Sequence, residues 1–402
     1  MIKSMPCFGS RNYTLNSHFC EVFLENFYNL FPFKKEINKI SPYKYLKDSL
    51  MLLETLFENY PKNFSKIHRK LTLNLKPHHL IYGSKNIGKT DFILQYYQQE
   101  SFKNLKKLYI NLSDCRINSY QDLNNLEAFC HKEKIEILIL DSYIPQFPIP
   151  NLPYITLISQ FPYEIPHFQI QEIPPITFKE YLQIHKQTPY DSFNYYLKYG
   201  NLFEAETLNE YKKGELLKSL ANDKTNFWIL KNFIQNLGLK VSLHQIYTKL
   251  KKEGKISKDR FYEYANTLKE SKTLFWVEKF EHDLAPKKLY FYDFTLKNAV
   301  SYERNFSALF ENMVFLELLY NFKEVVFFTD KLDFYLPNST LGILCLPFIQ
   351  SQILEQKLNK IIREREYCEK FLIITLNQKA QGENLGTPYM ILPFSEFATF
   401  SL

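Results

Sequence analysis

"LIYGSKNIGKTDFILQYY", from Leu80 to Tyr97, is the stretch on which the rest of the chain turns. Glycine is scarce, 10 in 402 residues, yet Gly83 and Gly88 stand five apart here, with Lys89 and Thr90 directly after. Gly83, Ser84, Lys85, Asn86, Ile87, Gly88, Lys89 and Thr90 fit G-x-x-x-x-G-K-[ST] at every fixed position. The glycines let the backbone curl so that successive amides face phosphate oxygens, and the helix that follows aims its positive end at the same place. Lys89 then reaches the β- and γ-phosphates, and the Thr90 hydroxyl can ligate Mg²⁺. The apolar "HLIYG" before the loop and the amphipathic "TDFILQYYQQ" after it supply the strand and helix that such a loop joins. ATP and Mg²⁺ are the expected cofactors.

Working outward, short apolar runs alternate with helical stretches: "KKLYINLSD" (106–114), "KIEILILDS" (134–142) and "PYITLISQF" (153–161). That alternation predicts an α/β fold with a parallel sheet covered on both faces. Asp141 ends the second run, where an acid would hold Mg²⁺ through water. Ser159 and Gln160 end the third, where a polar side chain senses the γ-phosphate. Asp141, Ser159 and Gln160 are thus the candidate catalytic residues. Two departures stand out. Ser142 follows Asp141 where a water-activating Glu belongs, and "FPYEIPHFQIQEIPPITF" contains no arginine to serve as a finger. The binding apparatus is complete and the hydrolytic apparatus is not.

The remaining segments divide as a helical N-terminal extension (1–65), the nucleotide core (66–185), a helical lid (186–225), a region reading helix, helix, helix, strand, strand (226–300), and a final α/β region (301–402). The middle order is that of a winged helix.

This order of parts resembles a prokaryotic family of AAA-type P-loop ATPases, related to the archaeal ATPases, whose C-terminal half carries a winged helix and a PD-(D/E)XK nuclease-like domain. The resemblance rests on the glycine loop and, in order after it, on "IQEIPPITFKEYLQI" with Phe178, Glu180 and Tyr181, "KKLYFYDF" from Lys287 to Phe294, "SALFENMVFLELL" with Glu311 and Asn312, "KLDFYL" with Asp333 and Phe334, and "REREYCEKFLIITL". It runs from about residue 40 and implies ATP binding and association with DNA. Nucleases of that kind also need an acid and a lysine on the strand after Asp333. "LGILCLPF" has neither, so a degenerate, non-cutting domain is expected, with Glu311 and Asp333 kept as structural partners.

Residues 226–300 hold 14 lysines and arginines against 8 acids. Lys249, Lys251, Lys252, Lys255, Lys258 and Arg260 cluster at the approach to "SKDRFYEYANTLKES", the expected recognition helix with Ser257 as its N-cap, and are the candidate contacts to double-stranded DNA. A solvated basic face is the plainer alternative, since Lys, Asn, Ile, Phe and Tyr are abundant throughout. A protein partner or a second copy of the chain is the other expected contact. A net charge of +7 permits an acidic partner without requiring one. The six cysteines lack metal-ligand spacing and read as buried thiols in a reducing compartment. No apolar run approaches the roughly 18 residues of a membrane span, so a cytoplasmic protein is expected. The overall expectation is an ATP-binding switch with slow or partner-dependent turnover. Its rival is a DNA-binding or partner-recruiting module whose P-loop domain is only structural.

Overall fold

A computed structural model describes residues 42–399 apart from 62–64, 66, 72, 74, 118, 187, 302–304 and 364–367. Most of the expected N-terminal extension, with Cys7 and Cys20, lies outside the described residues. Helix α1 (Pro42–Glu58) precedes strand β1 (His78–Tyr82), helix α2 (Lys89–Tyr96), β2 (Lys107–Asn111), α3 (Leu126–Glu133), β3 (Ile137–Asp141), β4 (Tyr154–Ile158) and β5 (Gln169–Glu172). The five strands form a parallel sheet in the order β2-β3-β4-β1-β5. Side chains alternate across it. Ile81, Ile137, Ile139 and Ile158 pack on one face with Phe92 and Ile93 of α2, while Leu80, Leu138, Leu140 and Leu157 pack on the other with Leu53 of α1 and Phe129 of α3. A strand buried on both faces must be apolar throughout, which is why β3 reads "ILIL" up to its terminal acid. Strand β5 falls within a proline-rich stretch; "QIQE" has neither the length nor the β-branched content to announce a strand.

Helices α4 (Phe178–His185), α5 (Pro189–Tyr199) and α6 (Glu210–Ala221) follow the sheet. Then come α7 (Lys224–Gln235), β6 (Lys240–Val241), α8 (Leu243–Glu253), α9 (Lys258–Glu270), β7 (Leu274–Lys279) and β8 (Lys287–Phe291). Strand β8 pairs antiparallel with both β7 and β6. The three helices close on Leu230, Phe233, Ile246, Leu250 and Phe261. Ser257 accepts the Arg260 amide at 3.3 Å and caps α9, as its position predicts.

The last region opens with α10 (Phe306–Tyr320), apolar on nearly every side and buried from Phe310 to Leu318 except at Glu311. It continues with β9 (Phe327–Phe328), β10 (Phe334–Leu336), β11 (Leu341–Cys345), α11 (Ser351–Arg363), β12 (Lys370–Thr375), β13 (Ala380–Asn384), β14 (Thr387–Pro393) and α12 (Phe394–Phe397). Strand β7 pairs parallel with β9, at Glu278 with Phe327 and Lys279 with Phe328, which joins this sheet to β6–β8 as one nine-stranded sheet. The β13–β14 hairpin was not anticipated, because "AQGEN" is polar and exposed.

Candidate functional site

The phosphate loop is built as its residue types require. Gly83 has φ +146°, Asn86 +58° and Gly88 +81°. A Cβ at Gly88 would stand 2.5 Å from the Phe203 ring, and one at Gly83 would meet the Ile173 carbonyl at 2.5 Å, so glycine serves both backbone conformation and close approach. The loop is braced from outside. The Phe203 amide donates to Asn86 O at 2.8 Å, and the buried Ser84 hydroxyl donates to Lys272 O at 2.7 Å just past α9. Lys85 Nζ reaches Ser219 O on α6 at 2.8 Å.

Beneath the loop, the buried Arg69 guanidinium donates to Ile87 O and grips Glu180 with Nε at 2.8 Å and Nη2 at 2.9 Å. The Thr177 side chain caps α4 and positions Glu180 for this contact. Sequence reasoning assigned Glu180 to a family phrase and missed Arg69, its partner 111 residues away.

Lys89 projects back into the loop, its ammonium 2.8 Å from Gly83 O and 2.6 Å from Ser84 O. Burial lowers its pKa to about 8; Asp141 opposes the shift, and Lys85 and Arg69 add to it. The Thr90 hydroxyl donates to Asp141 Oδ2 at 2.6 Å, the Tyr109 hydroxyl to the same oxygen at 2.9 Å, and the Ser142 amide to Oδ1 at 2.6 Å. Thr90 and Asp141 therefore stand together, and their hydroxyl and carboxylate oxygens are the hard donors that suit Mg²⁺. Ser142 sits at φ +58° on the cleft wall. Ser159 is buried, its hydroxyl accepting the Phe161 amide at 3.1 Å, and Gln160 lines the cleft beside it.

These groups share one cleft of about 720 Å³. The cleft is also lined by Phe203, Glu204, Thr207 and Leu208, which follow the sheet, and by Asp91. Burial raises the Asp91 carboxyl, and Glu204 and Asp141 add to the shift although the Ser65 amide opposes it. No motif marks residues 203–208, because they come from a segment more than a hundred residues beyond the loop. Among the described residues, no group of three or more His, Cys, Asp or Glu side chains is placed to hold a metal.

The basic candidates lie elsewhere. Lys249, Lys251 and Lys252 are exposed on α8, Lys255 on the turn, and Lys258 and Arg260 at the start of α9. Arg260 is engaged within the chain, its Nη2 2.5 Å from Asp223 Oδ1 and its Nε 3.3 Å from Asn226 Oδ1. The expectation of buried thiols fails at Cys115, which is exposed on the surface turn after β2, and holds for Cys130 and Cys345. Among the described residues, no helix is long and apolar enough to cross a membrane.

No family model matches the chain. It is similar to the uncharacterized protein MJ1544 of Methanocaldococcus jannaschii, 26% identical over 231 residues, a match covering 48% of this chain. The match spans 51%, about half, of that protein's length. Among solved structures, it is similar to the Aeropyrum pernix ORC1 protein in complex with DNA, at 9% identity and a TM-score of 0.26, covering 67% of this chain and 94% of that one. It is likewise similar to AMPPCP-bound DnaA from Aquifex aeolicus, at 14% identity and a TM-score of 0.22, covering 56% of this chain and 94% of that one. Superpositions this loose carry no weight for the site, which stands on its own geometry.

Proposed function

We propose that the chain is an AAA-type P-loop protein that binds Mg²⁺·ATP between Gly83–Thr90 and Asp141 and uses the nucleotide as a switch. The observation that carries this is the convergence of a complete phosphate loop, a lysine inside it, and a threonine–aspartate pair 2.6 Å apart at one end of the cleft. Thr90 would ligate the metal and Asp141 would hold its water, and the metal would neutralise phosphate charge. Turnover is slow without a partner. The residue after Asp141 is Ser142, and Arg69, which reaches the loop, is already committed to the Ile87 carbonyl and the Glu180 carboxylate. Residues 226–300 act as a winged helix that associates with DNA, and the C-terminal region is a nuclease-like domain that does not cut.

The rival reading, a structural P-loop domain, draws support from Lys89 and Thr90, both already satisfied inside the protein. Titration with ATP and Mg²⁺ separates the two. Wild type is expected to bind, and Lys89→Ala to lose about ten-fold or more, since about 1.4 kcal/mol is lost with each decade. Unchanged affinity in the variant, or no binding by wild type, decides for the rival.

A further inference from the structure

Strand β8 sends Lys288 and Tyr290, two residues apart and on the same side, toward α10 and β10. Lys288 is almost wholly buried. Its ammonium lies 2.6 Å from Glu311 Oε1 and 3.5 Å from Asp333 Oδ1. The Tyr290 hydroxyl donates to the same Glu311 oxygen, and the second Asp333 oxygen accepts the Cys345 amide at 2.8 Å. The rings of Phe328 and Phe334 flank the ammonium at 5.6 and 5.8 Å. Both carboxylates belong to the last region of the chain, and the lysine reaches them from the preceding one.

Each part of this arrangement answers to charge. Two carboxylates that share a recess must take up a proton or hold a cation between them, and a lysine buried beside aromatic rings keeps its charge only with a counter-charge. Burial works against the Lys288 charge, yet Glu311 and Asp333 outweigh it and raise its pKa. Burial raises Glu311 in turn, with Lys288 opposing and Asp333 adding. Asp333 keeps 28% of its side-chain surface, so the recess opens to water on that side. Two carboxylates plus water are a common donor set for Mg²⁺ or Mn²⁺. The position such an ion would take is held by the ammonium.

We propose that Glu311 and Asp333 form a divalent-cation pocket whose cation is the chain's own Lys288, so that the pocket excludes metal while the lysine is in place and admits it once the charge is removed. The inference is independent of nucleotide binding. Mn²⁺ is the probe, followed by electron paramagnetic resonance on the nucleotide-free full chain. Wild type is expected to show no saturable binding that depends on Glu311 or Asp333. Lys288→Met, which keeps the apolar stem, is expected to gain one site per chain, about ten-fold or more tighter than any wild-type binding. Glu311→Gln in that background cancels the gain, and Lys288→Arg shows none. If the methionine variant does not fold, Lys288→Gln, which retains a donor toward Glu311, takes its place with the same expected gain. A folded variant without the gain overturns the proposal. So does saturable Mn²⁺ binding by wild type that Asp333→Asn removes.

Discussion

At the scale of single residues, the state of Lys89 decides what the loop can do. Its ammonium is charged at neutral pH, but burial has brought its pKa to about 8, against an ordinary lysine value of 10.5. A bound triphosphate keeps the proton on, whereas the free protein sheds it as pH rises through about 8. Binding is therefore linked to protonation: affinity is flat below that pH and falls above it by up to about ten-fold per pH unit. Titrations at about pH 7, 8 and 9 check this, with Lys89→Arg expected to stay flat because guanidinium does not titrate there. Equal wild-type affinity across the range contradicts the desolvated lysine. This residue and its loop were legible in the sequence, because the chemistry lies in eight consecutive positions. Phe203 and Glu204 were not. Their place in the cleft comes from how a distant segment returns to the loop, and nothing local records that.

At the scale of elements, two buried polar contacts tie helices to the core, and each has a measurable consequence. Arg69 and Glu180 link the segment before β1, the loop and α4 through a bidentate pair with no solvent at the guanidinium. Removing one partner strands the other, so Arg69→Met is expected to cost about 3–5 kcal/mol, read as a lower urea midpoint. A loss within about 0.5 kcal/mol, the range of ordinary surface changes, would show that the strut is dispensable. Glu317 on α10 accepts the Phe178 amide at the first turn of α4 at 2.6 Å. Burial raises its carboxyl to about 8, although bonds from Phe178 and Asn321 oppose the shift. The folded state thus binds this proton more tightly than the unfolded state, whose value is the ordinary 4.5. The resulting stability is fully present below about 4.5 and is lost as pH rises through about 8. Thermal melts between those limits should show the wild type losing stability relative to Glu317→Gln; parallel curves would refute it. Neither pair announced itself beforehand. Sequence periodicity marks which face of a helix is apolar, and it is silent on which polar residue will be enclosed by another element.

Across the whole molecule, the loop and the basic helices are joined by direct contact. Ser84 of the phosphate loop holds the Lys272 carbonyl at the end of α9, and Glu172 of β5 accepts hydroxyls from Tyr82 of β1 and Tyr320 of α10, with the Lys272 ammonium 4.0 Å away. On the proposed reading, a nucleotide that shifts the loop would act on α9, the neighbour of the helix and turn whose lysines would face DNA. The proposed DNA contact falls on one side of this region. The β7–β8 turn exposes Glu281, Asp283 and a fully exposed Leu284, an acidic and apolar tip that repels phosphate. Arg260 is bound to Asp223 and Asn226. That leaves the exposed lysines of α8 and the turn after it, with Lys258 at the start of α9. Reversing Lys251, Lys252 and Lys255 to glutamate should remove the affinity for a short duplex at moderate salt. For each of them that meets a phosphate, it should also lower the slope of log affinity against log salt by about 0.9, because fewer counterions are released on binding. All three are exposed and make no ion pair with an acid among the described residues, so the variant should fold as the wild type does. Fluorescence anisotropy at two or more salt concentrations reads both quantities. If wild type fails to bind at low salt, or if the variant binds with the same slope, this face does not carry DNA.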